Sequence, residues 1–375
     1  MTAAYAIAGL VLILAILTEA FEALVLPRRV TRRLRFSRLY YRFGWRAWAA
    51  AADFLQPGPR RETALSYFGP LSLLGLFALW GLLLIFGFGL LHHAAAPRAG
   101  GLIDSVYFSG VTFTTLGYGD LSPVGPVSRA LSVVEGATGF GYFAVVISYL
   151  PVLFQAFSRR EAFIGLLDAR AGSPPSAGRM LLRLPPGVGD GAILNRFLAD
   201  AESWAAEVLE AQLSFPVLGY YRSQHDNQSW LAAMTCALDT SALVLSVADG
   251  ADRPQARLTF AMCRHVVVDL SLVLWRKPDA GPTDRLPDAR LHELLAELRK
   301  AGVKVRDDAG ALASLAELRS LYEPFVVALG QFFRVNVPPV WPETDRPDNW
   351  QTSAWMRRAG PLTALGADPK DEHFG

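Results

Sequence analysis

Thr114-Thr115-Leu116-Gly117-Tyr118-Gly119-Asp120 interrupts two strongly apolar stretches of a 375-residue chain. Glycines at 117 and 119 let the backbone reach positive φ, so successive carbonyls can turn toward one axis instead of alternating as they do in a strand. A column of carbonyl oxygens results. Irregular backbone at membrane depth is tolerated only where it lines a protected, ion- or water-filled path. The stretch therefore calls for membrane-spanning helices on both sides.

The chain supplies them. Residues 71–91 carry no charge and include Trp80, and residues 127–157 carry only Arg129 and Glu135 near their start. A further run, residues 3–26, is apolar except for Thr18, Glu19 and Glu22. As a helix it reaches ~36 Å, enough for a ~30 Å hydrocarbon core. A cleaved signal peptide is the competing reading of this run, but no basic residue precedes it and Arg28-Arg29 follow it in place of a small-residue cleavage site. An apolar share of 52% against 19% charged residues fits a membrane protein.

Orientation follows from arginine. Between the first two apolar runs, Arg28, Arg29, Arg32, Arg33, Arg35, Arg38, Arg42, Arg46, Arg60 and Arg61 face only Asp53 and Glu62. The positive-inside rule makes this connection cytoplasmic. The N-terminus and the connection holding Gly117 then lie outside, and everything after Arg159-Arg160 lies inside, at the plasma membrane. Residues 35–48 interleave arginines with Phe36, Leu39, Tyr40, Tyr41, Phe43, Trp45 and Trp48, which suits the headgroup layer, with anionic lipid along Arg28 to Arg46. RNA binding uses the same residue types, but the adjacent spans and a net charge of +2 favour lipid and give no reason to expect nucleic acid. Glu19 and Glu22 share one helix face, either as solvated helix-end carboxylates or paired to another helix.

After Gly100-Gly101, LIDSVYFSGVTFTT reads as a short helix starting near Asp104 or Ser105, with a strand as the alternative because Val, Tyr, Phe and Thr favour sheets. At this point the sequence resembles the potassium channels, whose filter signature T-x-G-Y-G-D stands here as Thr115, Leu116, Gly117, Tyr118, Gly119 and Asp120. The likeness covers roughly residues 67–157. It implies an all-α membrane protein whose pore module (67–158) follows an N-terminal transmembrane helix and basic interfacial segment (1–66) and precedes a mainly helical cytoplasmic domain (159–375).

The resemblance further implies a homotetramer in which the oxygens of Thr115, Leu116, Gly117 and Tyr118, with the Thr115 hydroxyl, replace the hydration shell of K+. K+ is then the permeant ion, and no organic cofactor is expected. A pore helix over about residues 103–114 would direct its partly negative C-terminal end at a cation cavity. Tyr107 and Phe108 look like the aromatics that pack around Tyr118. Val111 stands where some members carry a buried glutamate paired to the aspartate after GYG, so Asp120 lacks that partner. Gly139 falls at the family's hinge position, against the alternative of close helix packing, and Pro151 would kink the inner helix near its cytoplasmic mouth. Glu135 supports the filter from behind, tunes cavity charge, or makes a hydrogen-bonded helix contact near the outer end. His92 and His93, adjacent and so pointing apart, read as interfacial residues.

In the cytoplasmic half, helical periodicity runs over residues 192–212, 228–247, 255–275, 288–301 and 311–333, after a Gly/Ser/Pro linker at 171–178. The tail with Pro338, Pro339, Pro342 and Pro347 wraps or frays. Gly187, Gly189 and Ala192 have a dinucleotide-loop spacing, but Pro185-Pro186 interrupts the approaching strand and no second strand ending in an acid follows. The polar cluster over residues 220–227 reads as a hydrated loop, with a ligand or subunit contact as the alternative. Cys236 and Cys263 read as small core hydrophobes. No nucleophile, metal-ligand or paired-carboxylate set appears, so an enzyme is not expected. The competing function is a membrane-tethered sensory or scaffold protein whose cytoplasmic domain is the working part.

Overall fold

A computed structural model describes residues 2–24, 36–98, 100–187, 192–225, 227–279, 281 and 284–343. The arginines from Arg28 to Arg35, the glycine-spacing residues 188–191, Asp226 and Pro347 lie outside this set. Thirteen α-helices account for nearly all the described regular structure: α1 (Thr2–Leu24), α2 (Phe36–Ala52), α3 (Pro59–Ser66), α4 (Phe68–Ala95), α5 (Gly101–Phe113), α6 (Gly125–Ala171), α7 (Ala177–Arg183), α8 (Ala192–Ser214), α9 (Trp230–Ser246), α10 (Arg253–Val273), α11 (Asp288–Lys300), α12 (Ala309–Ser320) and α13 (Glu323–Phe333). They divide into two compact units, Met1–Leu55 with Ala64–Gln155, and Gln56–Thr63 with Ala156–Gly375.

In the first unit, α1, the stretch from Pro59 to Ala95 that ends in α4, and α6 are long and apolar enough to cross a membrane. The chain is an all-α membrane protein. Helix α1 lies against α4 of its own chain through glycine: a Cβ on Gly9 would stand 2.6 Å from the Gly87 carbonyl oxygen, and one on Gly87 would stand 2.8 Å from Ile13. Without a hydrophobic driving force in lipid, such close backbone approach is what drives helix association. Glu19 is buried rather than solvated, and its carboxylate accepts hydrogen bonds from the Ser37 N–H (3.0 Å) and hydroxyl (2.6 Å). A carboxylate from one helix thus occupies the positive N-terminal end of the next, α2. Trp45 then packs edge-on to Phe68, and the Trp48 indole donates to the Ala64 carbonyl at 2.9 Å.

Helix wins over strand at residues 101–113. Asp104 accepts from the Gly100 N–H at 2.8 Å beside the helix start, and Gly89 of α4 leaves room for Val106 to approach closely. Helix α6 runs unbroken through Pro151 for 47 residues.

The second unit is built around α9, of which only Leu245 escapes full burial. Ser229 caps it by accepting from the Ala232 N–H at 3.0 Å. Cys236 and Cys263 are buried free thiols in this core. A two-residue antiparallel pair joins β1 (Ala248–Asp249) to β2 (Lys304–Val305). Phe163, near the end of α6, stacks on Trp204 at 4.5 Å and on Phe197 at 5.6 Å, and buried Arg160 donates to the carbonyls of Leu218 (2.7 Å) and Tyr221 (2.9 Å).

Three expectations change here. The helix predicted over 311–333 is two, α12 and α13, because Pro324 has no N–H to continue the ladder and buried Tyr322 turns inward to donate to Asp239 at 2.6 Å. The linker expected at 171–178 is a buried turn, with Ala171, Ser173, Ser176 and Ala177 all enclosed and α7 following. The loop read as hydrated is also packed: Tyr220 is buried in a 3-10 turn, and Arg222 bonds the Phe333 and Arg334 carbonyls and pairs with Glu62. The proline-rich tail wraps as far as it is described: Val340 exchanges bonds with Gly178 and Arg285, and Arg290 reaches the Pro342 carbonyl.

Candidate ion-conduction site

The segment after α5 alternates in hand. Thr115, Gly117 and Gly119 have φ of 56°, 62° and 80°. Successive reversals of this kind turn peptide carbonyls to one side, which an ordinary extended strand does not do. Glycine adopts such angles freely, whereas Thr115 is held there against its β-branched side chain. What holds the segment is the end of α5: Leu116 and Gly117 both donate to the Val111 carbonyl, at 2.9 and 3.3 Å, while Thr115 donates to Thr112 at 3.1 Å. Residues 114–120 are exposed in the single chain, with Leu116 and Tyr118 at 53% and 69%.

Tyr107 donates its hydroxyl to Asp120 at 2.9 Å, so the aspartate has a partner even though residue 111 is valine. Phe108 turns the other way within its own chain. Buried, it meets the His92 ring edge-on at 4.8 Å, with the Arg98 guanidinium 4.1 Å over its face.

His92 overturns its expected interfacial placement. It is fully buried, because α5 and α6 both pack over the end of α4. Its Nε2 lies 2.9 Å from Glu135 Oε2 and its Nδ1 lies 3.2 Å from Ser128 Oγ. Glu135 is fully buried too, and its Oε1 is hydrogen-bonded to Ser109 of α5. The helix-contact reading of Glu135 is therefore the geometry seen, and the contact reaches the back of the pore helix. His93 points elsewhere, edge-on to Tyr5 at 5.0 Å. Sequence held one signal for this cluster, a carboxylate inside an apolar helix that needs a polar partner.

Gly139 touches the pore helix. A Cβ there would stand 2.0 Å from the Phe113 carbonyl oxygen, whereas Gly136 and Gly141 face open space. The rest of the inner helix leaves Val133, Phe140, Ile147 and Phe154 exposed in one chain. Among the described residues, no group of three or more His, Cys, Asp and Glu side chains is placed to hold a metal.

Residues 78–156 match the ion channel family model. The matched stretch takes in the last part of α4, α5, the alternating segment and most of α6. Similar proteins include the uncharacterized membrane protein YdjJ of Bacillus subtilis, 26% identical over 180 residues, 45% of this chain and 51% of that protein. Protein LctB of Geobacillus stearothermophilus is 40% identical over 55 residues, 15% of this chain and 40% of LctB. Two-pore potassium channel 5 of Arabidopsis thaliana is 34% identical over 56 residues, 15% of this chain and 14% of that channel. The chain spans about half or less of the length of these relatives. No solved structure matches. The matched region lies on two of the three helices long and apolar enough to cross a membrane.

Proposed function

We propose that the protein is a potassium-selective channel of the plasma membrane that works as a homotetramer. The observation that carries this reading is the alternation of positive φ at Thr115, Gly117 and Gly119 within T-x-G-Y-G-D, seated on the C-terminal end of α5. One chain lends a cation a single column of oxygens, and four columns around an axis replace the hydration shell. The carbonyls of Thr115, Leu116, Gly117 and Tyr118 coordinate K+, and the negative end of α5 favours a cation below them. The exposed filter and the uncovered apolar face of α6 suit burial against identical neighbours.

Tyr107 and Asp120 brace the outer end of the filter, Gly139 serves as the pivot of the inner helix, and Pro151 loosens its ladder near the cytoplasmic mouth. The N-terminus lies outside and the second unit inside, where anionic lipid meets Arg38, Arg42 and Arg46 along α2 and the arginines before them. The test is flux: full-length protein in potassium-loaded vesicles passes potassium and thallium far better than sodium, and equal sodium flux rejects the proposal.

A further inference from the structure

The buried cluster behind the pore helix has a proton inventory that its contacts decide. Ser109 Oγ lies 2.7 Å from the Ile85 carbonyl oxygen of α4 and is also hydrogen-bonded to Glu135 Oε1. A hydroxyl carries one proton, and a backbone carbonyl can only accept. Shared between the two acceptors, that proton would leave both contacts weak; with the Ser109 proton on Ile85, the proton between Ser109 and Glu135 comes from the carboxyl group. With Oε1 protonated, Oε2 accepts from the His92 Nε2–H at 2.9 Å, and the bare Nδ1 accepts from the Ser128 hydroxyl at 3.2 Å. Every contact then holds one proton and the cluster is neutral.

The alternative, a carboxylate facing an imidazolium, sends the Ser109 proton to Glu135. Two lone-pair oxygens, Ser109 Oγ and Ile85 O, would then stand 2.7 Å apart with nothing between them. It would also place two full charges at 0% exposure inside a membrane helix bundle, where ions carry a heavy desolvation cost.

We infer that Glu135 carries a proton in the resting protein, and that His92, Glu135 and Ser109 are positioning residues forming an uncharged seat that fixes the pore helix to α4 and α6. The route to the filter is short. Ser109 precedes Val111 by two residues, and the Val111 carbonyl accepts the N–H groups of Leu116 and Gly117. Loss of the seat frees the helix turn whose carbonyl holds the filter backbone. The effect on ion passage rests on the channel reading above, whereas the protonation does not.

Two measurements on full-length protein in vesicles test the two halves separately. Infrared spectroscopy at neutral pH reads the carbonyl stretch of a protonated carboxyl, above the amide band. Wild type shows a band that Glu135→Gln removes and Ser109→Ala shifts, and its absence from wild type overturns the proton assignment. Flux reads the seat. Glu135→Gln keeps wild-type potassium-over-sodium preference, because a glutamine accepts from His92 and donates to Ser109 in the same places. Ser109→Ala and Glu135→Ala lower that preference by about ten-fold, the scale of one buried hydrogen bond lost. A Glu135→Gln protein as unselective as Glu135→Ala, or a Ser109→Ala protein as selective as wild type, overturns the seat. Should wild type itself show no preference, the channel reading fails while the infrared band still decides the proton.

Discussion

Replacing Gly139 with alanine tests how the inner helix bears on the pore helix. The new Cβ would sit 2.0 Å from the Phe113 carbonyl oxygen and 2.8 Å from its carbon, distances that side-chain carbons essentially never adopt. Opening the first contact from 2.0 Å to the 3.0 Å limit moves the two helices apart by about 1 Å. Overpacking of this size costs about 1–3 kcal/mol, and the helix preference of alanine over glycine offsets up to about 1 kcal/mol. With the full offset the expected net loss is about 0–2 kcal/mol per chain, against a gain for the same change at Gly136. Gly136, one turn earlier, faces nothing within 4 Å, so Gly136→Ala should be neutral or stabilise by up to about 1 kcal/mol. Denaturant unfolding of the detergent-solubilised protein gives the stabilities, and thallium flux in vesicles reports the filter two residues beyond Phe113. A Gly139→Ala protein as stable and as permeable as Gly136→Ala would refute the contact.

Glu19→Ala removes the acceptor for the Ser37 N–H and hydroxyl at the start of α2, an expected loss of about 1 kcal/mol, visible as a lower melting temperature and faster trypsin cleavage at Arg42. Asp239→Ala strips a buried arginine of its main partner, since Arg285 reaches Asp239 by two hydrogen bonds; calorimetry should record a loss of about 3–5 kcal/mol, and unchanged unfolding would show that Glu323 and the Pro338 carbonyl suffice. Burial pushes the Cys236 and Cys263 thiols up. Both should ignore a disulfide reagent at pH 8 in native protein and react in denaturant; rapid native labelling would contradict their burial.

The spans and the alternating backbone after α5 were legible because their signals are local. A helix that crosses lipid must be apolar along its whole length, and T-x-G-Y-G-D reports its backbone need through glycine. Thr115 gave no such signal, since a β-branched residue rarely takes positive φ and only the alternation imposes it. The placement of His92 was invisible for another reason: its partner Glu135 lies 43 residues away, and their meeting depends on how α4, α5 and α6 pack. Residues 171–178 misled through composition, as Gly, Ser and Pro serve a tight buried turn as well as an open linker. The break at Pro324 was written in the chain, but the apolar periodicity on either side masked it.

The glycine contact between α1 and α4 carries a mechanical consequence. Ile7, Leu10, Val11 and Leu14 remain exposed, so the first helix has an apolar surface suited to acyl chains. A bilayer that thins or thickens works on such a surface. At Gly9 and Gly87 the two helices approach to backbone contact, with Ile13, Leu90 and Leu91 packed around the crossing. A shift of α1 in the lipid would bear on α4 at this crossing, where the Gly87 carbonyl passes beneath Gly9.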